Sequence, residues 1–492
     1  MAEQRITPRS EDYAQWYQDV IAGGELAEAA GVVKGCMVIR PHGFAIWEKI
    51  QADLDRRFKE TGHKNAAFPL LIPMSFIQKE AEHVEGFAPE LAVVTHAGGK
   101  KLEEEYVIRP TSETIIGHFF AKWIDSWRDL PLLINQWANV MRWELRTRLF
   151  LRTGEFYWQE GHTAHATHEE AKEEVTRMLD VYRAFCHEVL AMPVVRGTKT
   201  PNERFAGALE TFTIEALMQD QRALQSGTSH DLGQNFGKAF DVQFQNKEGE
   251  REYVWQTSWG VSTRLVGALI MTHSDDDGLV CPPLLAPIHV VIVPIWKQDE
   301  EKVRVLEKAR EIAAELRSDG LTVELDDREE LRPGAKYFEW ERKGVPLRLE
   351  LGPRDLEAGT VMSKLRVSEL DERGRAKKAV LPMEDIGVTV GKLLDEFQAF
   401  LFARAQARLE EHTVFVDTWD DFKAIFADGG SKFVYAHWDG TGETELAIKA
   451  ETKATIRCLP YREDAPARVF EPGVCVKTGA PSPQRVLFSR NY

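Results

Sequence analysis

Apolar positions set the first elements. Within residues 43–61, Phe44, Trp47, Ile50, Leu54 and Phe58 recur three or four apart, the period of a helix with one buried stripe, and Gly62 closes it. A shorter helix is expected over 10–21, capped by Ser10 with Glu11 and Asp12 in its first turn. The apolar run 66–73 contains Pro69 and Pro73, which favour an edge strand over a central one. A long helix followed by such a strand suits a dimer contact as well as it suits packing inside one domain. Over 107–240 the pattern becomes strands and turns, with helical periodicity convincing only over 168–190. Strands such as 140–145 and 211–218 lack the crossover helices a parallel sheet needs, so a mostly antiparallel sheet is expected.

A strand over 255–260 is expected to turn at Gly260 into a helix over 261–272. The proline-rich stretch 281–287 then marks a domain boundary. Beyond it, strands at 288–295, 321–325 and 347–351 alternate with helices at 300–318 and 391–409, the pattern of an α/β domain with a largely parallel sheet. Residues 413–492 mix a helix near 420–426 with strands near 433–438 and 485–488, a small α/β module. The expected architecture is therefore an α+β domain (1–283) built on an antiparallel sheet flanked by helices, followed by an α/β domain (284–409) and a small α/β C-terminal module (410–492).

Composition changes this picture little. A chain of 492 residues allows about three domains. It shows no basic leader followed by an apolar run and no apolar stretch near about 18 residues, which points to a cytoplasmic protein without a membrane span. Five scattered cysteines do not resemble a disulfide framework. The net charge of −16 excludes indiscriminate nucleic-acid binding, so any such site must be local. Residues 332–378 supply one candidate, with twelve Lys and Arg against eight Asp and Glu.

Chemistry concentrates around Arg142-Trp143-Glu144 and the run 154–162, read as two strands joined by an Arg-rich loop. An arginine fork can hold phosphate oxygens, a carboxylate can accept from an exocyclic amine, and an aromatic ring can stack on a base. Arg142, Glu144 and Phe156 are the candidates, with Arg152 reaching out of the loop. Arg264, in the first turn of its helix, suits a phosphate or a base face. Neither a P-loop nor a dinucleotide-binding glycine pattern occurs.

Together these landmarks resemble the class II aminoacyl-tRNA synthetases, and more narrowly the archaeal and eukaryotic type of prolyl-tRNA synthetase. The likeness covers nearly the whole chain. It includes Arg109-Pro110-Thr111-Ser112-Glu113 and the block 225–236 that begins Gln225-Ser226-Gly227-Thr228. The resemblance implies activation of L-proline by ATP to prolyl adenylate with release of pyrophosphate, then transfer to the 3′ end of tRNA-Pro, by a homodimer using Mg2+. It makes Arg142 and Arg264 catalytic, with Arg142 bridging the proline carboxylate and the α-phosphate. Glu144 would read the adenine amine, Phe156 stack on the ring, and Arg152, Thr153, Gln225, Thr228, Ser262 and Arg264 complete the ATP site. Thr111 and Glu113 would take the proline amine, with Trp158, Glu160, His162, Phe205, His230 and Ser258 around the ring. Residues 1–283 would be the catalytic domain and 284–409 the anticodon-binding domain, in which Glu341 and Arg348 would read the anticodon.

Two departures from the family pattern stand out. Relatives of this type carry four zinc-binding cysteines in the C-terminal module; here the stretch 438–444 has none and the second pair keeps only Cys475, so no structural zinc is expected. Between His162 and Gln256 there is no room for an editing domain, so alanine should be activated measurably and Ala-tRNA should persist. The rival readings are a non-catalytic tRNA-binding sensor and a class II synthetase for another small amino acid such as threonine or serine.

Overall fold

The computed structural model describes residues 5–79, 91–144, 146–370, 372 and 376–492. Helix α1 (Tyr13–Gly23) starts later than its sequence suggested, because the Asp12 carboxylate, not Ser10, accepts from the N–H groups of Ala14 and Gln15. Helix α2 (Pro41–Glu60) begins on a proline, whose missing N–H costs nothing at that position, and buries Ile46, Trp47, Ile50, Leu54 and Phe58. Phe58 lies 5.1 Å from the Trp259 ring and edge-on to Tyr182, so its truncation to alanine should cost about 3–5 kcal/mol.

The expected strand over 66–73 shrinks to Leu71–Pro73, at the edge of a three-stranded sheet, because the backbone around Pro69 makes no ladder. A further correction is helix α3 (Glu113–Trp123), which lies where only strands and turns were expected. Its β-branched and aromatic residues have strand propensity, but packing of Ile115, Ile116 and Phe120 into the apolar cluster decides the outcome.

Six antiparallel strands carry the first unit. β1 (Leu132–Met141) and β2 (Glu155–His165) form a long hairpin, and β2 pairs on its other side with β6 (Trp255–Ser262). Next to β6 lies β5 (Ala223–Gly233), then β4 (Glu210–Leu217) and β3 (Val195–Thr198). Helix α4 (His168–Glu188) covers the back of this sheet. It and these strands occupy the interval between His162 and Gln256, leaving no inserted domain there. Gly260 does not turn the chain as expected; it sits inside β6, and helix α5 (Arg264–His273) begins after Thr263.

The following unit has strand β7 (Val290–Pro294), helix α6 (Asp299–Ser318), helix α7 (Pro333–Arg342), strand β8 (Leu347–Leu351) and the long helix α8 (Ile386–Glu411). Its five-stranded sheet is mixed, not largely parallel: β7 has parallel neighbours on both sides, but the edge formed by Thr360–Leu365 and Ala379–Pro382 returns antiparallel.

Nothing in the sequence announced that the C-terminal module extends the sheet of the first unit. Strands β9 (Phe433–His437), β10 (Thr455–Pro460) and β11 (Arg485–Ser489) join at β10 to β3, giving one sheet of 11 strands. Gly197 makes the join possible, since a Cβ there would lie 2.4 Å from the Leu459 carbonyl oxygen. A buried carboxylate rivets the seam: Glu215 receives Lys199 at 2.8 Å and Arg457 at 3.0 Å, all with side chains no more than 3 % exposed. Burial alone would push the Glu215 carboxyl up, but the two cations hold it below the usual carboxylate range. The chain terminus follows, with Ala223 N–H donating to the Arg490 carbonyl and the Tyr492 hydroxyl to Asp220.

Candidate active site

A two-residue period along β2 builds one wall. Phe156, Trp158, Glu160 and His162 face the same side, while Gln159 and Thr163 point into the opposite face toward Tyr182 and Thr257. Register carries this pattern across the sheet. Gln136, Glu160, Gly260 and Thr228 form one transverse row, and His162, Ser258, His230 and Thr211 form the next. Gly161 keeps the floor flat, because any Cβ there would overlap the buried Trp259 indole. Parity fails at one place: a bulge opposite Ile214 and Glu215 shifts the strand, so Gln225 and Thr228 reach the same face despite their odd separation.

The result is a cavity of about 300 Å³ lined by Thr111, Glu113, Arg142, Phe156, Trp158, Glu160, His162, Phe205, Gln225, Thr228, His230, Ser258, Ser262 and Arg264. Sequence reasoning had named all of these. It missed Glu203 and Arg204, on the turn at Pro201–Glu203, and Thr211 and Ser226, which also line it. Thr211 could have been found by extending the alternation along β4, whereas the turn carries no periodic signal.

Three expected members lie elsewhere. Glu144 and Arg152 pair with each other at 2.6 Å in the loop between β1 and β2, and Thr153 lines a neighbouring cavity of about 550 Å³. The ladder of β1 ends at Met141, so the strand alternation expected through 140–145 does not extend to Glu144; that residue and Arg152 belong to the loop, close enough to hold one another.

Charge is distributed unevenly around the cavity. Arg142 donates from Nε to the Pro110 carbonyl at 3.1 Å and lies 5.6 and 5.5 Å from the Phe156 and Trp158 ring centres. Among the described residues the Arg264 guanidinium donates only to backbone carbonyls, those of Leu151 at 3.2 Å and Gln225 at 3.4 Å. Burial, reinforced by Arg142 and Arg152, brings it down to about 10, so it stays cationic at neutral pH and suits an anionic ligand.

The deeper end is polar and organised. Glu160 accepts from Ser112 Oγ at 2.6 Å and Gln136 Nε2 at 2.8 Å, and pairs with His162 at 2.9 Å. Burial opposes both charges, yet their mutual hydrogen bond prevails, holding the Glu160 carboxyl low and the His162 imidazolium high. His230, stacked on Phe205 with ring centres 4.6 Å apart, is instead lowered to about 4 by burial and is neutral. Thr111 donates to Glu113 at 2.5 Å. Trp158 Nε1 and Ser258 Oγ are buried without a protein partner among the described residues. An apolar ring with a charged amine would meet both aromatic walls and the oxygen acceptors of Thr111, Glu113 and Ser258 here.

Glu341 and Arg348 sit far along the chain in a different setting. Arg348 Nη1 donates to Glu341 at 2.7 Å, its other nitrogens to Glu350 at 3.0 and 3.1 Å, and its guanidinium lies 3.8 Å from the Tyr337 ring centre. Lys364 also pairs with Glu341. Burial would raise the Glu341 carboxyl, but Lys364 and Arg348 hold it low.

An antiparallel floor, a hairpin arginine and a helix-start arginine meeting over one cavity define a class II aminoacyl-tRNA synthetase core, and comparison with known proteins agrees. Residues 95–273 match the tRNA synthetase class II core domain (G, H, P, S and T), 289–386 the anticodon binding domain, and 419–492 the prolyl-tRNA synthetase C-terminal domain. The chain is 58 % identical to a proline–tRNA ligase of Porphyromonas gingivalis strain ATCC 33277 over 501 residues, covering 99 % of each. It is 58 % identical over 491 residues to one from Chlorobium chlorochromatii, covering 99 % of each, and 56 % identical over 494 residues to one from Prosthecochloris aestuarii, covering 100 % of each. The chain belongs to the proline–tRNA ligase family. These relatives are bacterial, which corrects the narrower archaeal and eukaryotic attribution.

Proposed function

We propose that the chain activates L-proline with ATP, releasing pyrophosphate, and passes the prolyl group to the 3′ end of tRNA-Pro, with the cavity residues in the following roles. Arg142 spans the proline carboxylate and the α-phosphate, neutralising charge where the carboxylate attacks. Phe156 stacks on adenine, and Arg264 steadies the outer phosphates. Gln225, Thr228 and Ser262 offer neutral oxygens beside them. Glu144, Arg152 and Thr153 join the ATP site by exchange of the loop pair, Arg152 leaving Glu144 for a phosphate while Glu144 turns to accept from the adenine amine. Thr111 and Glu113 receive the secondary amine of proline. Trp158, Glu160, His162, Phe205, His230 and Ser258 shape the pocket for its ring. The observation that carries this reading is the convergence of Arg142 and Arg264 on one cavity, with Arg264 donating only to backbone carbonyls.

Mg2+ takes oxygen ligands and keeps waters and phosphates among them. Among the described residues no group of three or more His, Cys, Asp or Glu is disposed to hold a metal. The lining oxygens on β5 and β6 are amide and hydroxyl, which fits an ion that arrives on the nucleotide and supplies further charge neutralisation.

Glu341 and Arg348 read anticodon bases by edge hydrogen bonds, with Tyr337 available for stacking. The functional divisions are 1–283, 284–409 and 410–492. The protein acts as a cytoplasmic homodimer; exposed Leu70, Leu71, Val93 and Trp123 around the small edge sheet support a contact there. Among the described residues no helix is long and apolar enough to cross a membrane. No structural zinc is needed in the C-terminal module, since Asp439 already ties its two loops, accepting from Thr441, Thr444 and Thr478 at 2.7–3.1 Å.

Amino-acid-dependent pyrophosphate exchange across all twenty amino acids tests the reading. Proline should give the strongest signal and alanine a weaker, measurable one. Glu113→Gln should raise the proline KM while leaving the ATP KM near wild type. Exchange without proline dependence would overturn it.

A further inference from the structure

The helix that begins at Arg264 ends against the anticodon-binding unit, and arginines make the grip. From α8, Arg408 Nη2 donates to the Thr272 carbonyl at 2.6 Å and Arg404 Nη2 to the His273 carbonyl at 2.7 Å, cations where the C-terminal end of α5 favours them. Arg366, with its side chain 2 % exposed, forks onto Asp275 just beyond that end, Nη1 to Oδ2 at 2.9 Å and Nη2 to Oδ1 at 2.6 Å. Its Nε is shared between the carbonyl oxygens of Leu279 at 2.9 Å and Glu341 at 2.8 Å. One guanidinium therefore touches the turn that terminates α5 and the last turn of α7, which carries Glu341.

We infer that Arg366 is a positioning residue that couples occupation of the anticodon face to the placement of Arg264. This rests on the reading of Glu341 given above. A planar fork with all three nitrogens engaged transmits displacement better than a flexible point charge, because moving the Glu341 backbone must rotate or break the Asp275 pair. α5 is a ten-residue helix, about 15 Å long, that responds as a rod. Among the described residues the other two arginines make no hydrogen bond to α7. They keep α5 seated if Arg366 is altered, helped by Trp16 Nε1 donating to the Asp275 carbonyl at 2.9 Å and by Arg9 pairing with Asp276 at 3.0 Å. Arg366 thus acts through Asp275 and α5, without touching substrate.

Arg366→Lys keeps the charge and removes the fork. With the full-length enzyme and tRNA-Pro transcript, kcat for charging should fall about tenfold while KM for the tRNA and tRNA-free, proline-dependent pyrophosphate exchange stay near wild type. Asp275→Asn should give the same split with a smaller loss. A parallel fall in exchange and charging would make Arg366 a mere support of the fold; a rise in KM alone would make it part of RNA binding; an unchanged kcat would show no coupling. Each overturns the inference. Glu341→Gln separates the two readings, since an unchanged KM for tRNA there removes Glu341 as an anticodon contact whatever Arg366 does.

Discussion

Two arginines of this chain live in opposite circumstances. Arg264 is half-buried beside Arg142 and Arg152 and donates only to backbone carbonyls among the described residues, whereas Arg348 is engaged on every side by Glu341, Glu350 and the Tyr337 ring. The first arrangement is poised for an anion that the protein does not supply. In the second, any ligand must displace an existing partner, so binding energy is a difference between two paired states. A synthetase needs both behaviours: firm neutralisation of phosphate at the chemical step, and discrimination among tRNAs in which a wrong base fails to repay the broken pairs.

The largest break in this contrast comes from removing the poised charges. Arg142→Ala or Arg264→Ala should lower proline-dependent pyrophosphate exchange by about 10²–10³, the loss typical of one preorganised electrostatic contact at a transition state. Folding should be retained, because among the described residues deleting Arg264 strands no buried carboxylate. Near-normal exchange by either variant would mean that the two guanidiniums do not share a substrate.

How far the sequence disclosed this site follows from residue chemistry, family motifs and local periodicity. Strand chemistry marked Phe156, the resemblance supplied Trp158, Glu160, His162, Ser258 and His230, and alternation along β2 with the register of its antiparallel neighbours explains why they share one face. What stayed hidden lacks a local period. Loop residues Glu144 and Arg152 were expected in the cavity, but they extend past the ladder and find each other. At helix α3 strand propensity was overridden by packing against Phe240 and its neighbours, a tertiary effect invisible in strand-forming side chains. The fusion of the C-terminal module to the catalytic sheet depends on Lys199, Glu215 and Arg457, which come from distant parts of the chain and show no pattern until they meet.

Glu160 sharpens the comparison within the cavity itself, since it is paired where Arg264 is not. Glu160→Gln leaves His162 without its counter-ion and should cost about 3–5 kcal/mol of stability, the penalty for breaking a buried pair from one side. Proline KM should rise more than ATP KM, because the residue stands at the deep end of the cavity beside Ser112 and Gln136. Chemical denaturation and separate KM measurements decide this; equal effects on both substrates would place Glu160 in general support of the fold.

At the paired arginine the expected effect is smaller. Glu341→Gln should raise KM for tRNA-Pro about tenfold and leave tRNA-free exchange unchanged, since an edge contact to one base contributes about 1–3 kcal/mol. Combining it with Arg348→Lys should give less than the sum of the two losses, because each variant already dissolves the same ion pair. Full additivity would mean that the residues meet the RNA independently.

The smallest effect sets two histidines of one transverse row against each other. His162 is raised by Glu160, so it contributes stability that is complete below its unfolded value near 6.5 and is lost as pH rises through its higher folded value. His230 is held at about 4, so between pH 6.5 and 4 the unfolded chain takes up a proton that the folded site refuses, and stability falls with acidification. His230→Gln should therefore flatten the acid side of the melting profile, and His162→Gln the alkaline side, by about 1–3 °C each in the ligand-free protein. Identical profiles for the two variants would show that the row does not hold its histidines in opposite charge states, and the distinction drawn between charged and neutral walls of the cavity would go with it.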